Sequence, residues 1–155
     1  MPIEIERKFL VQTEDWRTAA NARRKFKQFY LAIDQRSNVR IRIEDGVGAW
    51  LTVKSAQSGA TRSEFEYPIP IEDAEQMTAM AVGAVIAKVR HIVPFAGLDW
   101  EVDEFAGDNE GLVIAEVELA SQDQSLELPR WVGQEVTNDK RYYNASLAET
   151  PFKKW

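Results

Sequence analysis

Hydrophobic and polar residues alternate with a period of two along most of the chain, as expected of strands with one apolar and one polar face. In the first stretch, IEIERKFLV, Ile3, Ile5 and Phe9 fall on one face and Glu4, Glu6 and Lys8 on the other. The same alternation predicts strands over Ile3–Val11, Lys27–Ile33, Asn38–Glu44, Ala49–Ser55, Ser63–Ile69, Ala87–Val93, Leu98–Phe105 and Val113–Ala120. Turns are expected at Glu44-Asp45-Gly46, Ser58-Gly59 and Ala96-Gly97, where glycine can supply positive φ. An antiparallel meander follows from this spacing.

Helices are few. Thr13 can cap a short one through Ala22, and Ile71–Val82 carries Glu72, Asp73 and Glu75 early, with Met77, Met80 and Ala81 at helical spacing. Two further pieces are expected at Gln122–Glu127 and Asn138–Glu149, the second capped by Thr137. No repeat or linker interrupts the pattern, so one domain over residues 1–155 is expected.

The polar faces carry paired charges at i, i+2, about 6–7 Å apart on one side of a strand. The signs segregate. Arg40/Arg42 and Lys88/Arg90 are basic pairs, and Glu64/Glu66, Glu101/Asp103 and Glu116/Glu118 are acidic. A merely solubilising surface mixes signs, because neighbouring like charges repel. The grouping suggests one half-site for anions and one for cations. About eight antiparallel strands can close into a barrel able to hold one small ligand. Periodicity does not choose between such a barrel, with charges inward, and an open sheet with a wet charged face. The small helix supply leaves the outward apolar faces of a barrel poorly covered.

The bases Lys8, Arg40, Arg42, Lys54, Lys88 and Arg90 suit a compact polyanion, with arginine offering forks to phosphate oxygens. Carboxylates beside it would repel that anion unless a hard cation such as Mg²⁺ or Mn²⁺ bridged them to phosphate. His91 falls on the face opposite Lys88 and Arg90 and is not expected to bind metal. Trp50, Trp100 and Trp131 read as packing residues, Asp45, Asp99 and Glu104 as surface, and Arg62 and Arg130 as candidates for a rim.

Composition narrows the partners. Of 155 residues, 45% are hydrophobic and 28% charged, the balance of a folded globular chain, and no apolar run approaches a membrane span. The net charge of −6 argues against a nucleic-acid partner. The acidic start is unlike a signal peptide, and the absence of cysteine fits a reducing compartment, so a cytoplasmic location is expected. A homodimer is compatible with this pattern.

The stretches "EIERKFLV", "FYL", "VRIR", "LTVKS", "RSEFEYPI", "KVRHIV", "WEVDEFAG", "AEVEL" and "EVTNDKRYYN" resemble, in order and over nearly the whole chain, the CYTH superfamily of triphosphate tunnel metalloenzymes. The resemblance implies an α+β, mainly β fold. Its core is an eight-stranded antiparallel closed β-barrel, a tunnel with a charged lumen and a few flanking helices. It implies that Lys8, Arg40, Arg42, Lys54, Lys88, Arg90, Lys140, Arg141 and Tyr30 contact the phosphates. It further implies that Glu4, Glu6, Glu64, Glu66, Glu101, Asp103, Glu116 and Glu118 form an acidic wall for Mg²⁺ or Mn²⁺. The general base is expected to be a carboxylate or Lys88, with Lys88 preferred because neighbouring cations such as Arg90 raise its neutral fraction. Lys88, Glu4 and Glu6 make up the expected catalytic set. The small size is most similar to short bacterial members that hydrolyse inorganic tripolyphosphate to diphosphate and phosphate. Alternatives are a class IV adenylyl cyclase, a nucleoside or thiamine triphosphatase, and a non-catalytic polyphosphate-binding module. The acidic wall disfavours the last, since a pure anion binder gains nothing from it.

Overall fold

A computed structural model describes residues 3–56 and 59–155 of the chain. Nine strands are formed among the described residues: β1 Ile3–Val11, β2 Ala22–Ile33, β3 Ser37–Glu44, β4 Gly48–Ser55, β5 Thr61–Ile69, β6 Val82–Phe95, β7 Leu98–Phe105, β8 Val113–Glu118 and β9 Val132–Glu135. Three short α-helices join them: α1 Trp16–Ala19, α2 Ile71–Met77 and α3 Asn144–Glu149. The strands run antiparallel in the order β5-β4-β3-β2-β6-β7-β8-β1, and Ile3↔Ser63, Glu4↔Arg62 and Ile5↔Thr61 close β1 onto β5. The eight-stranded barrel is therefore closed, though by only three residue pairs. β9 is an extra strand that continues beside β1, with Phe9 opposite Glu135 and Val11 opposite Val132.

All eight expected strands form; five begin earlier than the alternation suggested, β2 and β6 by the most, and β8 stops at Glu118 short of the expected Ala120. β2 begins at Ala22 and β6 at Val82, each five residues earlier than expected. The helices differ more. The first covers only Trp16–Ala19, because β2 has already begun at Ala22. The expected helix at Gln122–Glu127 does not form, and Asn138–Glu149 splits into a 3-10 turn, Lys140–Tyr142, and α3. Thr137 caps neither; its hydroxyl accepts from the Lys8 backbone N–H at 3.0 Å and donates to Glu135 at 2.6 Å. Of the turns, Gly46 and Gly97 adopt φ of +73° and +80°, while Ser58 of the third lies outside the described residues.

Three apolar clusters explain how so few helices suffice. Trp16 of α1 and the segment carrying Trp131 cover Trp100, Val102 and Val117 on the outer wall. Ala74 and Met77 of α2 cover Phe29, Ile41 and Leu51. The third cluster is not on the outside: Leu147 and Ala148 of α3 pack against Tyr30, Ile86, Phe105 and Ile114, whose register places them on the inward face. One end of the barrel is therefore plugged with hydrocarbon. Part of the wall stays bare, with Phe65 and Tyr67 exposed. No helix among the described residues is long and apolar enough to cross a membrane.

Candidate active site

The pairing register decides which way the charges face. Lys8 stands opposite Glu116, Glu101 opposite Glu116, Arg90 opposite Asp103, Gln28 opposite Arg42 and Lys54 opposite Glu64, so these side chains share one surface. That surface is the lumen. A cavity of about 210 Å³ is lined by Glu4, Glu6, Lys8, Tyr30, Arg40, Arg42, Lys54, Glu64, Glu66, Lys88, Arg90, Glu101, Glu116 and Glu118, all of them expected site residues.

Three expected residues are placed elsewhere. Asp103 faces inward but is fully buried beneath Arg90 and Lys88, holding Arg90 through both oxygens at 2.8 and 2.9 Å and Lys88 at 2.7 Å. With its oxygens committed to two cations, it serves as their anchor and does not line the cavity. Lys140 and Arg141 lie outside the barrel, where Arg141 pairs with Asp139 at 2.8 Å and rests over the Tyr142 and Trp155 rings. The 3-10 turn ends before α3 and turns their side chains from the lumen. The cavity gains residues that the pattern did not single out: Arg24, Asn38, Tyr143, Asn144 and Ala145, together with Arg62, suspected only of a rim position. Arg24 and Phe26 extend the inward series of Gln28 and Tyr30, a signal hidden by starting β2 at Lys27. The segment 143–145 follows no strand period, and nothing in its spacing points inward.

The charges form two groups. In one, Lys8 reaches Glu116 at 2.9 Å and Glu6 at 3.8 Å, while Arg90 touches Glu101 at 3.1 Å and Glu116 at 3.8 Å. In the other, Glu4 receives Lys54 at 3.4 Å and Arg62 at 3.2 Å, and Lys54 also meets Glu64 at 3.1 Å. Arg40 and Arg42 lie between and are left short of partners. Among the described residues the nearest carboxylate to Arg40 is Glu66 at 3.9 Å, and its buried Nε has no acceptor. Arg42 donates only to the neutral Gln28 and has no carboxylate within ion-pairing reach among the described residues.

Protonation follows from this packing. Burial, with the Glu116 charge beside it, pushes Glu6 up to about 8. Burial lowers Lys88 to about 7 against the pull of Asp103, with Arg90 and Arg42 acting in the same direction as burial. Arg42 falls to about 9 for want of a counter-charge, through burial and the Arg40 and Arg90 charges. Burial alone would raise Glu4, but Lys54, a hydrogen bond with Glu64 and Arg62 hold it at about 2. Carboxylate oxygens of Glu6, Glu101 and Glu116 lie within 4.8 Å of one another. A partly protonated Glu6 beside Glu116 is the electrostatic sign of a site short of positive charge.

The model of the CYTH domain matches residues 2–150. The chain belongs to this family. An inorganic triphosphatase of Acetivibrio thermocellus is 41% identical over 151 residues, covering 97% of this chain and 96% of that protein. An inorganic triphosphatase of Nitrosomonas europaea is 38% identical over 150 residues, covering 94% and 96%. Among solved structures, the crystal structure of an inorganic triphosphatase superposes with a TM-score of 0.66 at 34% identity, over 94% of this chain and 97% of that one. The barrel described above is thus shared with an inorganic triphosphatase of known structure.

Proposed function

We propose that the protein hydrolyses inorganic tripolyphosphate to diphosphate and phosphate, with Mg²⁺ or Mn²⁺ as its metal. The observation that carries this reading is the pair Arg40 and Arg42: enclosed in a lumen, short of carboxylates, one with an orphaned buried N–H. Burying guanidinium without a counter-charge is costly unless an anion completes the site. Arginine forks match phosphate oxygens, and Lys54, Lys8 and Arg90 extend the basic surface along a chain of phosphates. The lining has little apolar surface, chiefly Tyr30, Tyr143 and Ala145, so it offers no slot for a nucleobase or thiamine ring.

The metal fits the opposite wall. Glu6, Glu101 and Glu116 present hard oxygen donors close together, as Mg²⁺ and Mn²⁺ require, and Glu6 lacks a near cation beyond Lys8 at 3.8 Å. Bound there, the ion would supply charge neutralisation to the phosphate oxygens. The chain's own residues do the rest. Arg40, Arg42 and Arg90 hold the substrate extended and stabilise charge on the departing diphosphate. Lys88 Nζ, neutral in an appreciable fraction near pH 7, accepts a proton as a water oxygen attacks the terminal phosphorus and the bond to the diphosphate oxygen breaks. A cytosolic setting, free of disulfides, completes the reading.

Its test is a substrate panel. Tripolyphosphate, ATP and thiamine triphosphate are each incubated with the protein and Mg²⁺ or Mn²⁺. Phosphate release from tripolyphosphate well above the other two supports the proposal; cyclic AMP from ATP, or binding with no turnover, overturns it.

A further inference from the structure

Between an arginine of the anion half-site and the proposed base runs a single hydrogen-bonded chain. Arg42 Nε donates to Gln28 Oε1 at 3.1 Å, and Gln28 Nε2 donates to Asn144 Oδ1 at 2.6 Å. Lys88 Nζ donates to the same Asn144 oxygen at 2.9 Å. The direction of every link is forced. A guanidinium can only donate, so Gln28 must turn its carbonyl to Arg42 and its amide N–H to Asn144. Asn144 must then offer its oxygen, which is what Lys88 needs. Gln28 is wholly buried, so water cannot replace it in this arrangement.

We infer that Asn144, oriented by Gln28, is a positioning residue for Lys88. The amine has three substituent directions besides its carbon. Asp103 takes one at 2.7 Å and Asn144 a second, leaving the third for the cavity that Lys88 and Asn144 both line. When Lys88 is neutral its two remaining N–H bonds still satisfy these acceptors, so its lone pair is aimed at the water to be deprotonated. Without Asn144 the amine is free to turn about the Asp103 contact, and the lone pair loses its direction.

Asn144 opens α3, and the placement of that helix depends on a close approach elsewhere. At Gly83, φ is +75° and an added Cβ would lie 2.5 Å from the Ala148 carbonyl oxygen. The fit at Gly83 therefore sets where Asn144 sits.

The inference rests on the triphosphatase reading, and its test separates the two. Asn144→Ala, Asn144→Asp and Gln28→Met are assayed with tripolyphosphate, the first also in a Lys88→Ala background. For Asn144→Ala the expected result is a kcat lowered by about tenfold or more with KM little changed, because the loss is in orientation and not in binding. Asn144→Asp keeps the accepting oxygen but adds a charge that favours protonated Lys88, so it recovers kcat relative to Asn144→Ala only as the pH is raised. In the Lys88→Ala background the residual rate is nearly insensitive to Asn144→Ala, the non-additivity of residues acting as a unit. Gln28→Met lowers kcat in the same direction and serves if Asn144→Ala does not fold. An unchanged kcat for both variants with an active wild type overturns the inference alone. So does an equal loss with and without Lys88, which marks a structural role only. An inactive wild type overturns the triphosphatase reading and this inference with it.

Discussion

Asp103 Oδ2 lies 2.7 Å from Lys88 Nζ, and both side chains are almost wholly removed from solvent. The pair is asymmetric in purpose. Arg90 and Lys88 hold Asp103 ionised at about 2 despite its burial, whereas Lys88, paying for its own burial among Arg90 and Arg42, loses its proton near neutral pH. Replacing Lys88 by alanine should lower kcat by about 10²–10⁴-fold, the usual contribution of a positioned base, with a much smaller effect on KM. In wild type the neutral form grows as pH rises through about 7, so kcat should climb over that range. The Lys88→Ala profile should lack that rise. Steady-state rates from pH 6 to 9 decide this; a loss confined to KM removes the base role.

Removing the anchor should damage the fold as well. Asp103→Ala leaves buried Lys88 without its carboxylate and Arg90 with only Glu101 and Glu116, and breaking comparable buried pairs costs about 3–5 kcal/mol. Denaturant unfolding measures it. A loss below about 1 kcal/mol, the range of exposed pairs, would mean that the Asp103 contacts are not the anchor described here.

Arg42 predicts the opposite balance. It is enclosed, lowered to about 9 by burial and by Arg40 and Arg90, and has no carboxylate partner among the described residues. Arg42→Leu should therefore keep or raise the melting temperature while weakening tripolyphosphate binding severely. Calorimetric titration together with thermal unfolding reports both. A variant that is destabilised yet binds normally contradicts the assignment of Arg42 to the substrate.

Glu6 ties metal to pH. Its folded value near 8 stands above the 4.5 of an exposed glutamate, so the folded state holds a proton that the unfolded state has lost. Stability from this group is intact below about pH 4.5 and falls away as pH rises towards 8. In chelator, Glu6→Gln should match wild type at pH 5 and exceed its melting temperature at pH 8. Mg²⁺ should raise the wild-type melting temperature more at pH 8 than at pH 5 and should do little for the variant. Equal metal stabilisation of both proteins would place the ion elsewhere.

Lys140 and Arg141 provide a negative control. They sit outside the barrel, so Lys140→Ala with Arg141→Ala should leave KM for tripolyphosphate unchanged within error. A clear rise in KM would bring these residues into the site.

Alternation alone located the strands and put Glu4, Glu6 and Lys8 on one face, because a two-residue period is a strong local signal wherever one face must be buried. It could not say which face. That was settled by closure, which rests on three pairs between Ile3–Ile5 and Thr61–Ser63 and leaves no mark in either strand's own pattern. Asp103 illustrates the limit within a strand: it shares the inward side of β7 with Glu101, yet Arg90 and Lys88 cover it and keep it off the cavity surface. Asn144 illustrates the limit between elements. Its place in the lumen comes from the packing of α3 into the apolar end of the barrel, a tertiary effect with no periodic trace.

The most direct measurement is ³¹P NMR of tripolyphosphate incubated with the purified protein and Mg²⁺. The substrate resonances should give way to phosphate and diphosphate in equal amounts, and omission of the metal or Lys88→Ala should stop the conversion. A spectrum that stays unchanged with either metal, while ATP or another organic triphosphate is consumed, would contradict the reading of the lumen as an inorganic triphosphatase site.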